Sequence, residues 1–174
     1  MERVTVIIPT FNAGAYLRQA TLSALSQRHA NLEVIVVDDG STDGSVSALD
    51  DIADPRLRVR KQPNLGKSAA MNAALAGATG AYYCILDADD EMHPDRVARQ
   101  AEALDQNADL AAVFCGHELI VGRHSLAPRS RAKSRTDCRH DIEHFRMPAL
   151  DPTGMYRLSM VRDIAYETTL RIGQ

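Results

Sequence analysis

Two short and almost uninterrupted runs of β-branched residues, 4–8 (Val-Thr-Val-Ile-Ile) and 32–37 (Leu-Glu-Val-Ile-Val-Val), constrain this chain more than any other feature. Runs without polar alternation mark strands buried on both faces, as in a parallel sheet covered by helices on each side. Between them Tyr16, Leu17, Ala20, Ala24 and Leu25 recur at three- and four-residue spacing, which predicts a helix from an Asn12 cap to about Gln27. Strand, helix and strand within forty residues make a βαβ unit, right-handed in nearly all known cases. A chain of 174 residues fits one such domain with one core.

The alternation continues. The turn from Asp38 to Gly44 is rich in residues that accept left-handed backbone or cap helices, and a helix over 45–52 fits behind it. A short strand over 57–59, an Ala-rich helix over 68–78 stopped by Thr79-Gly80, and a buried strand over 81–86 follow. Pro94 suits the first position of a further helix, with Asp95 in its first turn, and 110–115 reads as a strand. The expected architecture is a doubly wound, Rossmann-like α/β sheet, mostly parallel, with helices on both faces.

Charge and composition remove several function classes. The net charge is −3, aromatic residues are 5% and Trp is absent, which argues against a nucleic-acid partner. Cys84, Cys115 and Cys138 show no ligand spacing, so Cys84 and Cys115 read as small core residues. The apolar run at 4–8 is too short for a signal peptide or a membrane span, which predicts a cytoplasmic protein. Residues 122–146 carry six Arg and one Lys against Asp137, Asp141 and Glu143, a net +4 within a chain of −3. With little apolar periodicity there, the expectation is a mobile basic loop that orders on a ligand, with a solvated surface loop as the alternative. Clustered cations of this kind also suit peripheral contact with an anionic membrane surface.

In doubly wound sheets ligands bind beyond the carboxyl ends of the strands. Asp38 and Asp39 follow the second strand, and Asp87, Asp89 and Asp90 follow the strand over 81–86, so five acids converge on one crevice. Such a cluster repels itself unless neutralised, and two carboxylates two residues apart suit one Mg²⁺ or Mn²⁺ that keeps positions for substrate phosphates. Other nucleotide motifs are missing. Pro9-Thr10-Phe11-Asn12 stands where a dinucleotide fold has its glycines, and Lys61 stands where a P-loop ending in Gly66-Lys67-Ser68 needs Gly.

Val4 to Asn12, then Val36-Val37-Asp38-Asp39-Gly40-Ser41-Thr42-Asp43, Asn64-Leu65-Gly66-Lys67, Asn72, and Leu86-Asp87-Ala88-Asp89-Asp90 with Pro94 resemble, in order and spacing, the family 2 glycosyltransferases of GT-A fold. The resemblance covers roughly residues 3–100. It implies a nucleotide-diphosphate sugar donor, a UDP-sugar where a carboxylate accepts from a uracil N–H, and Mg or Mn as cofactor. Pro9, Thr10 and Phe11 would line the nucleotide pocket with Phe11 against the base, a core Phe being the alternative. Asp39 would meet the base while Asp38 caps the turn. Asp87 would lie near the ribose, Asp89 would bind metal with Asp87 assisting, and Lys67 would face the diphosphate unless it is a solvated surface Lys. Met71 departs from relatives that carry Arg before the Asn matching Asn72, which removes a charge contact.

The implied reaction is transfer of the sugar to an acceptor hydroxyl, saccharide or lipid-linked. Residues 1–115 would form the nucleotide-sugar-binding core and 116–174 the start of an acceptor-binding region. Residues 155–157, 163–167 and 170–174 resemble the stretch before the family's later acidic motif, which implies a catalytic base beyond Gln174 and a truncated chain. Asp151 and Glu167 are the substitutes available within the sequence. A missing base leaves a non-catalytic nucleotide-sugar-binding or regulatory module as the alternative function, and an uncovered apolar face would favour a homodimer.

Overall fold

The structure is a computed structural model that describes residues 1–121, 124–126, 133–144 and 151–169. Its centre is a six-stranded sheet of β1 (Val4–Thr10), β2 (Leu32–Asp38), β3 (Leu57–Lys61), β4 (Tyr82–Ile85), β5 (Ala112–Phe114) and, from late in the chain, β8 (Gly154–Arg157), in the order β3-β2-β1-β4-β8-β5. The ladders β1·β2, β1·β4 and β2·β3 are parallel, whereas β8 runs antiparallel to both β4 and β5. Every residue of β1, β2 and β4 is buried, as expected of strands packed on both faces.

Two helical layers account for that burial. Leu17, Ala20 and Ala24 of α1 (Tyr16–Leu25) and Val97, Ala101 and Leu104 of α3 (Arg96–Asp105) pack on Val4, Val6, Ile8, Val34, Val36 and Cys84. Ala70, Met71 and Ala74 of α2 (Lys67–Gly77) and Leu158 of α5 (Leu158–Val161) cover Ile7, Ile35, Val37, Tyr83 and Ile85 on the other face. Adjacent residues of one strand therefore meet different helices, which is why the strands read as continuous apolar runs.

Several local expectations are corrected. Asn12 does not cap α1: it sits at φ 51°, and the helix starts at Tyr16 with no side-chain cap. The segment behind the Asp38–Gly44 turn forms only a 3₁₀ turn, Val46–Leu49. The third strand extends to Lys61 and lies at an edge of the sheet. Cys84 is buried in the core, whereas Cys115 is only half-buried.

The segment expected as a loop contains regular structure. β6 (Leu119–Val121) and β7 (His124–Leu126) form an antiparallel hairpin, and α4 spans Arg135–Glu143. α4 has no apolar stripe to announce it. Its start is set by a reciprocal box, in which the Ser134 N–H donates to Asp137 Oδ2 at 2.9 Å and the Asp137 N–H donates to Ser134 Oγ at 3.2 Å. Lys133 and Asp141 pair at 2.7 Å on its surface. The remainder of 122–146 and the stretch 170–174 lie outside the described residues.

Candidate functional site

The carboxyl ends of β1, β2 and β4 bring three loops to one edge of the sheet. The first two are laced together: the Asn12 N–H donates to Ser41 Oγ at 3.0 Å, the Thr42 N–H donates to Asn12 Oδ1 at 2.8 Å, and the Gly14 N–H donates to Asp43 Oδ2 at 2.8 Å. The positive φ that Asn tolerates turns its side chain toward the β2 loop instead of α1. Asp43 also accepts the hydroxyl and N–H of Ser45, and these bonds hold its carboxyl below the usual range.

Within this frame Pro9 and Thr10 are buried and Phe11 is 51% exposed, so Phe11 is not a core residue. The Thr10 hydroxyl is buried without a hydrogen-bond partner among the described residues. Asp38 Oδ1 accepts the Ser41 N–H at 2.8 Å and closes the turn. Asp39, 4% exposed, has a larger task. Its Oδ1 accepts Gln62 Nε2 at 2.7 Å and the Leu65 N–H at 2.9 Å, and its Oδ2 accepts the Gly66 N–H at 2.8 Å. The Asp39 carboxylate thereby fixes the loop that leads into α2. Gly40, at φ 83°, permits this closure, because a Cβ there would lie 3.0 Å from the Asn64 nitrogen.

Gly66, at φ 91°, ends that loop as the N-cap of α2, and Lys67 follows as its first residue. Lys67 Nζ meets Asp87 Oδ1 at 2.6 Å, joining the α2 end to the β4 loop. Asp89 and Asp90 are exposed on the same turn, closed by the Asp90 N–H to the Asp87 carbonyl at 3.1 Å. Partial desolvation raises the Asp90 carboxyl above its ordinary value, and the negative charges of Asp89 and Asp87 raise it further. Negative charge on this turn thus exceeds what Lys67 and Arg96 offset. Among the described residues no three His, Cys, Asp or Glu side chains gather tightly enough to enclose a metal. An oxygen donor set of one or two carboxylates beside an open edge suits a hard cation that takes its other ligands from water and phosphate.

Gln62 has no sequence signal of its own; the Asn64-Leu65-Gly66-Lys67 motif two residues on is the nearest one. Met71 is buried in the α2 core. Asn72 binds the segment that follows α5, with Nδ2 donating to the Tyr166 carbonyl at 2.9 Å and Oδ1 accepting the Tyr166 N–H at 2.8 Å. Glu167 is exposed and held below its ordinary range by the N–H and hydroxyl of Thr169. Asp151 lies in the 3₁₀ turn Asp151–Thr153, which leads into β8 at the end where β4 stops, because β8 is antiparallel. Arg96 ties these ends together: its Nη2 donates to the carbonyls of Pro152 at 2.6 Å and of Ile85 and Gly154 at 3.3 Å.

A mostly parallel sheet with acidic loops at the carboxyl ends of β2 and β4 defines an α/β protein of the GT-A type. The chain belongs to glycosyl transferase family 2, whose profile matches residues 5–165. It is 39% identical over 110 residues to an uncharacterized glycosyltransferase of Haemophilus influenzae, a match covering 62% of this chain and 44% of that protein. Staphylococcus aureus TarS 1-349 in complex with UDP-GlcNAc superposes with a TM-score of 0.76 at 25% identity, over 92% of this chain and 47% of that one. The mannosyltransferase PcManGT of Pyrobaculum calidifontis, in complex with GDP-Man and Mn²⁺, superposes with a TM-score of 0.74 at 25% identity, over 98% of this chain and 49% of that one. The chain thus spans less than half the length of these relatives. Among the described residues no helix is long and apolar enough to cross a membrane.

Proposed function

We propose that this chain is the donor-binding part of a glycosyltransferase that moves a sugar from a nucleotide diphosphate, UDP in the first instance, to an acceptor hydroxyl. The observation that carries this reading is the convergence of Phe11, Asp39, Lys67 and the Asp87–Asp90 turn on one edge of the sheet. Exposed Phe11 offers a face to the base, and the buried Thr10 hydroxyl supplies an unused donor and acceptor beside it. Asp39 retains acceptor capacity on Oδ2, which takes a single bond here, for a uracil N–H. Lys67 exchanges its partner Asp87 for the diphosphate, placing a positive charge where the leaving group develops negative charge.

The excess negative charge of the turn fits Mg²⁺ or Mn²⁺ held by Asp89, with Asp87 as second ligand. Bound there, the ion would supply Lewis-acid neutralisation of the departing diphosphate. Support for both parts comes from the UDP-GlcNAc complex of TarS and the GDP-Man and Mn²⁺ complex of PcManGT. In this reading residues 1–115 bind the donor, 116–174 begin the acceptor side, and the acceptor is a saccharide or a lipid-linked hydroxyl. The exposed Leu119, Ile120 and Leu126 of the β6–β7 hairpin, beside the basic segment, would serve peripheral membrane contact in the lipid-linked case.

Calorimetric titration of the purified chain with UDP and UDP-sugars, with and without Mn²⁺, tests the proposal. Saturable binding strengthened by Mn²⁺ and weakened in the Asp89→Ala variant is expected. Failure of any uridine nucleotide to bind would overturn it.

A further inference from the structure

One carboxylate outside the acidic turn is held with unusual care. Tyr156 lies in the middle of β8, opposite Tyr83 of β4, yet its hydroxyl reaches back along its own strand to donate to Asp151 Oδ1 at 2.5 Å. The ring can fold back only because residue 154 is Gly: a Cβ there would lie 2.6 Å from the Tyr156 hydroxyl and 2.7 Å from two ring carbons. Tyr83 stacks on the ring at 5.1 Å and Phe114 meets it edge-on at 5.9 Å, so the hydroxyl is not free to wander. Burial, with the bond to Asp151 adding to it, pushes the Tyr156 hydroxyl well above its ordinary value, so it remains a donor. Arg96 fixes the surrounding backbone through the Pro152 and Gly154 carbonyls.

The place of this carboxylate matters as much as its rigidity. Strand order puts β8 immediately beyond β4, on the side away from β1 and β2. In the donor-binding reading the base lies over the ends of β2 and β1 and the diphosphate at Lys67 and Asp87, and the next strand in that direction is β8. Asp151 is half-buried there, and its Oδ2 accepts no hydrogen bond from the described residues. A fold that needed only to close the turn would not require a glycine, a half-buried tyrosine and two flanking aromatic rings to aim one acid.

We propose that Asp151 is a sugar-binding residue whose Oδ2 accepts a hydroxyl of the donor sugar, and that Tyr156 is the positioning residue that orients it across Gly154. This rests on the donor-binding reading above. Asp151→Asn keeps an oxygen for the Tyr156 hydroxyl and removes the charge, whereas Tyr156→Phe keeps the ring and removes the donor.

The test is the ratio of affinities for UDP-sugars over UDP, measured by titration of the full chain with Mn²⁺ across UDP-glucose, UDP-galactose, UDP-GlcNAc and UDP-glucuronate. The parent should bind at least one of these more tightly than UDP. Asp151→Asn should reduce that ratio by about 10-fold or more, as for loss of a hydrogen bond to a charged group. Tyr156→Phe should reduce it by about 3- to 10-fold, with affinity for UDP itself within about twofold of the parent in both variants. A ratio preserved in Asp151→Asn, an equal loss of UDP and UDP-sugar, or a parent that binds every UDP-sugar no better than UDP would overturn the assignment. Should Asp151→Asn fail to fold, Tyr156→Phe decides by the same ratio. A parent that binds no UDP overturns the donor-binding reading instead.

Discussion

Replacing Asp39 by Asn changes one oxygen for an NH2 group at the buried carboxylate that holds the loop leading into α2. Two placements exist. With the amide nitrogen at Oδ1 it would face both Gln62 Nε2 and the Leu65 N–H; Gln62 can turn its amide, but the backbone cannot. With the nitrogen at Oδ2 only the Gly66 N–H is opposed, so this is the cheaper arrangement. It still leaves a buried donor unsatisfied, at about 1–3 kcal/mol, and removes charge assistance from the two remaining bonds, adding about 0.5–1 kcal/mol. The total of about 1.5–4 kcal/mol corresponds to a fall in Tm of about 3–16 °C for a chain of this size. Gln62→Ala removes a single bond and should cost about 0.5–1.5 kcal/mol. Thermal unfolding followed by circular dichroism reads both. Because the loop carries Lys67, UDP affinity should fall in Asp39→Asn together with stability. A Tm within about 2 °C of the parent would refute the claim that this carboxylate holds the α2 entry loop.

Glu33, fully buried, provides a pH-dependent contrast. Burial alone would raise its carboxyl, but bonds from the Thr5 hydroxyl and the Thr79 N–H and hydroxyl, with Arg3 nearby, lower it below the ordinary value. A depressed value means stabilisation that is complete above the unfolded value of ~4.3 and lost as pH falls through the folded value. Urea denaturation should therefore show Glu33→Gln less stable than the parent at pH 7, with the gap narrowing toward pH 3; parallel curves would contradict the bonding described. Asn72→Ala should speed hydrogen exchange at the Tyr166 amide while leaving β1 amides protected, since it removes both bonds to that residue. Lys67→Met should weaken UDP binding by about 5- to 50-fold and reduce its salt dependence, in line with loss of one charge contact.

The legible part of the fold was the part whose burial is two-sided. β1, β2 and β4 announce themselves because each of their residues meets a helix on one face or the other. β8 gave no such signal: Met155 and Tyr156 acquire their strand character only from β4 and β5 on either side. α4 escaped notice because a capping box, not an apolar stripe, defines its start. At the candidate site the acidic turn and Lys67 were readable as residue types, and the structure brings Lys67 onto Asp87. That Asp39 spends three acceptor positions on the loop leading into α2, and that Asn12 serves the β2 loop and not a helix, depend on backbone torsions that residue identity does not reveal. The Asp151, Gly154 and Tyr156 unit is spread over six residues at spacings of three and then two, so no single helix or strand period joins its members.

The late arrival of β8 also sets the order in which this protein can be made. β4 leaves a ribosome about seventy residues before the strand that covers its free side, and β5 has no partner in the sheet until β8 separates it from β4. A nascent chain therefore carries an open, apolar strand edge through that interval, the kind of edge that recruits foreign strands. Closure over such a sequence separation is slow relative to local helix formation. The basic, polar segment between β5 and β8 keeps the waiting chain charged, so the step that completes the candidate sugar site is also the step that ends its exposure to aggregation.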